Sequence, residues 1–240
     1  MTTRIDKLMA DMGLADTRTR AQNLIALGVV TVNGNTVNKP SFLVEENAEI
    51  VVNENYEASL GGIKLKEAIE KFNIKVKNKV CLDIGAANGG FTEVLLNNGA
   101  KKVFALDVGD CALPEYLKNN DRVIIKDRTN ARYITKENFS AELEFCVIDV
   151  SFISLKLILP TVYSILAEKG EVIALIKPQF ECGKNNLTKS GIVKSEKIRC
   201  EVVSDIISFA KSINFLHKGV IAAPRPFQNK NQEYLLYLCK

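Results

Sequence analysis

Residues 82–91 read LDIGAANGGF. An apolar run ends in an acid, Asp83, followed after Ile84 by Gly85, three further residues and the pair Gly89-Gly90. Glycines at the end of a strand allow positive φ and let the main chain approach a ligand closely. The stretch reads as a buried strand, a glycine turn and the start of a helix. That unit is the building block of a doubly wound α/β sheet, in which ligands bind at the carboxyl ends of the strands.

The chain beyond it repeats the pattern. VCLDIG (80–85), KVFALDV (102–108), RVIIK (122–126), FCVIDV (145–150) and EVIALIK (171–177) are short apolar runs. Helical patterns separate them, including 90–98, 154–167 and 196–213. Strands buried on both faces read as continuous apolar runs, so a Rossmann-like sheet covered by helices is expected. FLHKGVIAA (215–223) and EYLLYLC (233–239) are read as an antiparallel pair at one edge.

The loop is neither G-x-G-x-x-G nor a P-loop, because no G-K-[ST] follows the glycines. It brings no lysine to neutralise phosphates. Asp83 precedes it, and Asp107 ends the next strand, 22 residues after Gly85, where an acid commonly takes ribose hydroxyls. Acids around the loop disfavour a polyphosphate. They suit a ligand with a ribose and a cationic amino acid part, a description that fits S-adenosylmethionine. At the third strand end, Asp127 is placed to pair with the exocyclic amine of adenine.

Residues 1–55 read as a separate small α+β domain, 56–63 as a linker, the polar stretch NENYEAS (53–59) running across the boundary between them, and 64–240 as the large domain. Ile5, Leu8, Met9 and Met12 repeat at helical spacing, and Gly13 is placed to stop that helix. Asp16 or Thr17 caps a second helix carrying Ala21, Leu24 and Ile25. VVTVNGNTV then alternates around Asn33-Gly34, a hairpin signal because both central residues of a type I′ turn need positive φ. A strand over Glu49–Val52 follows.

Of 240 residues, 47% are apolar and 25% charged, an ordinary globular composition. No apolar stretch is long enough to span a bilayer, so integral membrane insertion is not expected. The N-terminus lacks a signal-peptide core, and the six cysteines form no C-x-x-C pair; both suit a reducing cytoplasm. With His217 the single histidine and the cysteines widely spaced, no metal site is expected. Net charge is +4, but residues 1–55 hold five bases against seven acids, so charge alone does not demand nucleic acid.

Two resemblances sharpen this outline. Arg4, ADTRTRAQNLIALGVVTVNG (15–34) and Pro40 resemble the small RNA-binding domain of a small-subunit ribosomal protein, certain pseudouridine synthases and tyrosyl-tRNA synthetases. The resemblance implies RNA contact through Arg4, Lys7, Arg18 and Arg20. The acids at 45, 46, 49 and 54 work against a strongly basic patch. Over nearly the whole chain, SLGGIKL (59–65), LDIGAANGGFT, FALDVG, VIDVSFIS (147–154), LIKPQFECG (175–183) and NQEYLL (231–236) closely resemble the TlyA family. Its members carry an FtsJ-like catalytic domain and methylate ribosomal RNA at the 2′-oxygen, the expected site here being a cytidine ribose.

The resemblance implies a Lys-Asp-Lys-Glu tetrad, carried by Lys64, Asp149, Lys177 and Glu233. It implies a cofactor site built from Asp83, Gly85, Ala86, Gly89, Gly90, Phe91, Asp107, Val108 and Asp127. The chemistry suits these residue types. A sulfonium methyl is already activated, so no metal is required, and what remains is a base and an in-line alignment. A free lysine titrates near 10.4, so it serves as a base only where its surroundings lower that value. Lys177 is the expected base, oriented by Asp149, with Lys64 and Glu233 holding the ribose. VSFISLKLILP is apolar and expected to pack on the sheet, Phe152 being open to a core or an RNA-facing role. Lys184, Lys189 and Lys194 lie in a polar loop suited to phosphates or to plain solvation.

The chain departs from that family at Leu60, where relatives carry arginine, at Asp110, Cys111 and Ala112, and in GAANGG for GASTGG. Two other readings are a membrane-active cytolysin, after the family's haemolysin label, and an inactive RNA-binding module. Partners expected under the leading reading are ribosomal RNA or a ribosomal subunit.

Overall fold

The computed structural model describes residues 2–15, 17–26, 28–52, 60–225 and 230–240. Asp16 and the linker stretch 53–59 lie outside the described residues. The chain forms two compact units, Met1–Leu60 and Gly61–Lys240.

In the first unit, β1 (Thr2–Arg4) leads into α1 (Ile5–Asp11) and α2 (Arg18–Ala26). Then follow β2 (Val30–Val32), β3 (Asn35–Thr36), β4 (Leu43–Glu45) and β5 (Ile50–Val52). Ile5, Leu8 and Met9 of α1 pack on Ala21, Leu24 and Ile25 of α2 and on Val30, Val32 and Ile50. Thr17 Oγ1 accepts the Arg20 N–H at 3.1 Å, so Thr17 caps α2. Gly13 ends α1 with φ +72°, and Asn33 and Gly34 form the hairpin turn with φ of +49° and +79°. Sequence periodicity did not anticipate β1. Its three residues are polar or charged and become a strand only through antiparallel pairing with β4.

The second unit opens with α3 (Leu60–Lys71), so residues 60–63, expected to be linker, form its first turn. The elements that follow are β6 (Val80–Ile84), α4 (Gly90–Asn97), β7 (Lys102–Leu106), α5 (Glu115–Lys118), β8 (Val123–Lys126) and β9 (Leu143–Ile148). After them come α6 (Leu159–Ile165), β10 (Leu166–Ile176), α7 (Pro178–Glu181), α8 (Glu196–Ser212), β11 (Leu216–Ala222) and β12 (Tyr234–Cys239). The seven-stranded sheet has the order β11-β12-β10-β9-β6-β7-β8. β6 to β10 are parallel, while β12 pairs antiparallel with both β10 and β11. This is the expected doubly wound sheet with its antiparallel edge pair.

Alternation along β6 divides the core in two. Val80, Leu82 and Ile84 face the layer of α6 and α8, whereas Cys81 joins the layer of α3 and α4. The helix expected over 154–167 is shorter than the pattern suggested. A 3-10 turn covers Leu155–Leu157, α6 begins at Leu159, and Pro160 occupies its first turn. Proline lacks an N–H and fits a helix start, so it restarts the helix there. Among the described residues, no helix is long and apolar enough to cross a membrane.

Strand order reverses on either side of β6: the chain runs outward to β7 and β8, then returns to β9. That reversal is the topological switch point where α/β sheets bind ligands.

Candidate active site

A cavity of about 420 Å³ lies at the carboxyl ends of β6, β7 and β9. Its walls include Gly85, Ala87, Asp107, Val108, Asn130, Arg132, Asp149 and Phe152. Gly85 has φ +86°, and a Cβ there would stand 2.2 Å from the Asp149 carbonyl oxygen. The turn therefore admits only glycine and sits directly against the strand end that presents Asp149. Its backbone is stitched to both neighbours: the Gly85 N–H donates to Leu106 O at 2.8 Å and the Asp149 N–H to Ile84 O at 2.9 Å. Gly89, at φ +83°, is the N-cap of α4 and packs against Leu117.

Asp107 is fixed from two sides. Its Oδ2 accepts the Ala87 N–H at 3.0 Å, and its Oδ1 accepts the Gly109 N–H at 2.9 Å. Both oxygens are thus oriented at the cavity wall, beside Val108, whose side chain is largely exposed. A carboxylate and an apolar surface side by side fit a ribose diol and an adenine ring. The residues present match a nucleoside cofactor.

The remaining expected cofactor residues divide. Gly85, Asp107 and Val108 line the cavity; Asp83, Ala86, Gly89, Gly90, Phe91 and Asp127 do not. Asp83 is fully buried behind the glycine turn, where its Oδ2 accepts the Thr92 hydroxyl at 2.7 Å and its Oδ1 has no hydrogen-bond partner among the described residues. Burial pushes its carboxyl up to about 7, Thr92 opposing the shift and the nearby Asp149 adding to it. Its position ties the strand to α4. Asp127 is exposed and accepts the Cys111 N–H at 2.6 Å, a hydrogen bond that lowers its pKa.

The four tetrad residues form two ion pairs. Lys177 Nζ lies 2.5 Å from Asp149 Oδ1 and donates a hydrogen bond to Ser151 Oγ at 2.9 Å. Lys64 Nζ donates to Glu233 Oε2 at 2.6 Å. Asp149 follows β9, Lys177 follows β10, and Glu233 precedes β12. The register pairing Ile176 with Tyr234 sets Lys177 and Glu233 at the same end of adjacent strands. Gln179 Nε2 donates to Glu233 Oε1 at 3.5 Å. Lys64 is the one member that comes from a helix, α3. All four side chains are mostly buried, Lys177 being only 12% exposed.

Several contributors carried no clear sequence signal. Ser151 and Gln179 orient tetrad members, and Thr92 holds Asp83; isolated polar residues in apolar runs were the only hint. Phe152 is 90% exposed with φ +64°, so it does not pack in the core. Its ring lies against that of Phe180, tilted by 46° with centroids 4.8 Å apart, and Glu181 pins the same loop by accepting from the Ser154 hydroxyl and the Leu155 N–H. Arg132 lines the cavity with its guanidinium over the Tyr133 ring, 5.1 Å from the centroid.

In the first unit, Arg4, Lys7 and Arg18 are exposed and Arg20 is half-buried. Arg4 and Arg18 both bond to the buried carboxylate of Asp6.

Comparison with known proteins assigns both parts of the chain to families. Residues 58–240 match the FtsJ-like methyltransferase family, and residues 3–50 match the S4 domain. A Bacillus subtilis protein named "Putative rRNA methyltransferase YqxC" is 40% identical over 98% of this chain and 85% of its own length. The "16S/23S rRNA (cytidine-2'-O)-methyltransferase TlyA" of Mycobacterium tuberculosis is 38% identical over 98% of this chain and 89% of its own. A solved structure, "Putative hemolysin from Streptococcus thermophilus", is 38% identical, superposes with a TM-score of 0.76, and covers all of this chain and 88% of that one.

Proposed function

The chain belongs to the FtsJ-like methyltransferase family, and from that membership we propose that it methylates a cytidine 2′-hydroxyl in ribosomal RNA, using S-adenosylmethionine. The observation that carries the reading is the placement of the Lys177–Asp149 and Lys64–Glu233 pairs at the same end of the sheet, next to a cavity lined by Asp149, Gly85 and Asp107.

S-adenosylmethionine supplies a methyl group already activated by its sulfonium charge. Gly85, Asp107 and Val108 would hold the cofactor at the cavity wall. The 2′-hydroxyl is a poor nucleophile until its proton leaves. Lys177 is assigned as the base that accepts that proton at Nζ, with Asp149 and Ser151 fixing the direction of the amine. The Lys64–Glu233 pair would hold the ribose. Holding the reacting groups in line converts an encounter into an intramolecular step. The first unit, which matches the S4 domain, supplies RNA affinity through Arg4, Lys7, Arg18 and Arg20.

The test is mass mapping of 2′-O-methylation in ribosomal RNA from cells with and without the gene, paired with transfer of labelled methyl to purified ribosomal subunits. A methylated cytidine that depends on the gene supports the reading. An unchanged map together with no transfer in vitro would sink it.

A further inference from the structure

We propose that Asp6 is a positioning residue for RNA binding, a buried anion that clamps Arg4 and Arg18 into one rigid, outward-facing pair. The proposal rests on the RNA-binding reading of the first unit.

Asp6 lies in the first turn of α1 and its side chain is fully buried. Four hydrogen bonds converge on it. Arg4 Nε donates to Oδ1 and Arg4 Nη2 to Oδ2, both at 3.0 Å, giving the planar two-pronged contact that only a guanidinium makes. Arg18 Nε donates to Oδ2 at 3.0 Å and Gln22 Nε2 to the same oxygen at 2.7 Å. These hydrogen bonds, led by the pair from Arg4, hold the Asp6 carboxyl well below the usual carboxylate range.

The donors are not buried with the acceptor. Arg4 remains 43% exposed and Arg18 52% exposed. The clamp therefore fixes the guanidinium planes from below and leaves their outer edges at the surface. Arg18 also stands at the first position of α2, where the helix dipole favours anions and disfavours a cation. No acid lies in that turn of α2 to offset it. A buried carboxylate that merely filled space would be costly, and an apolar residue would serve stability as well. An anion that organises two partly exposed arginines from two helix starts has a use: it removes rotamer freedom before RNA arrives, so less is lost on binding.

The clamp makes a prediction opposite in sign to simple charge. Asp6→Asn raises the net charge by one, which by itself should tighten RNA binding. Loss of the clamp should instead weaken binding to purified ribosomal subunits by about tenfold. The slope of log affinity against log salt should become shallower by about one to two phosphate contacts. Arg4→Lys and Arg18→Lys keep the charge but lose the planar contact, so they should weaken binding similarly. They keep the test sharp if Asp6→Asn unfolds the small domain, which circular dichroism of the full chain would reveal. Equal or tighter binding by the lysine variants, with an unchanged salt slope, would overturn the clamp. Failure of the parent chain to bind ribosomal subunits at all would instead overturn the RNA-binding reading, and the clamp with it.

Discussion

Lys64 Nζ lies 2.6 Å from Glu233 Oε2, although 169 residues separate them in the chain. Each side chain is under one-fifth exposed. One comes from α3 and the other from the residue before β12, so the pair fastens the start of the catalytic unit to its last strand. Glu233→Ala leaves a mostly buried ammonium without its partner, and Lys64→Ala leaves the matching carboxylate. Each single change should lower kcat/KM for methyl transfer, and the double variant should fall by less than the two combined. A double-mutant cycle should return a coupling of roughly 0.5–3 kcal/mol. Strict additivity would show that the two residues act separately.

Lys177 and Asp149 should behave differently from that pair. Lys177 does not line the cavity, whereas Asp149 does. Lys177→Ala should cut single-turnover methyl transfer by about 10²- to 10⁴-fold, the range for removing a general base. Calorimetric binding of S-adenosylmethionine should persist. Asp149→Ala should impair both transfer and cofactor binding. Retained turnover in Lys177→Ala would assign the base elsewhere.

Gly85 should tolerate no substitution. Its φ of +86° costs an L-residue about 1–2 kcal/mol, before the 2.2 Å approach of a Cβ to the Asp149 carbonyl is counted. Gly85→Ala should lower the melting temperature and abolish cofactor binding by displacing the strand end that presents Asp149. Gly183 shares the positive φ, at +75°, but nothing lies within 4 Å of its added Cβ. Gly183→Ala should therefore cost only the backbone strain. Equal losses at the two sites would discount the steric part.

Much of this arrangement is legible in sequence, for unequal reasons. The parallel strands announce themselves because burial on both faces demands continuous apolar runs such as VCLDI and VFAL. The glycine turn is legible because Gly85 and Gly89 adopt positive φ. Lys64 is not, since a lysine on a helix reads as surface until a distant carboxylate covers it; only the family resemblance selected it. Asp6 hides for a similar reason. An acid in the first turn of a helix reads as a dipole complement, and nothing local reveals three donors from positions 4, 18 and 22. The polar β1 likewise exists only through β4, and Phe152 sits in an apolar run that suggests burial.

The buried Asp83 predicts a pH dependence. Its carboxyl is pushed up to about 7 in the folded chain, against an ordinary value of 3.8. Between those values the folded state keeps a proton that the unfolded state has released. Stability from this group is therefore fully present below about pH 4, and is lost as pH rises through 7. Asp83→Asn should remove that slope, so its melting temperature relative to the parent should rise from pH 4 to pH 8. A difference that stays constant over this range would show that Asp83 is ionised throughout.

Phe152 separates stability from function. Its φ of +64° is unfavourable for any residue with a Cβ, and its ring is 90% exposed beside Asp149. The tilted ring contact with Phe180 and the Glu181 hydrogen bonds hold the loop in place. A strained, exposed aromatic at the mouth of the cavity offers a face on which an unstacked base can lie, an interaction worth roughly 1–3 kcal/mol. Phe152→Ala and Phe152→Gly both remove the ring, but only glycine relieves the backbone. Both variants should bind S-adenosylmethionine normally and lose methyl transfer to ribosomal RNA by similar factors of about 5- to 150-fold. The glycine variant should be the more stable of the two by roughly 1 kcal/mol. Parent-level RNA turnover in either variant would reduce Phe152 to a surface ornament of the loop, whereas unequal turnover would show that loop conformation, not the ring, carries the effect.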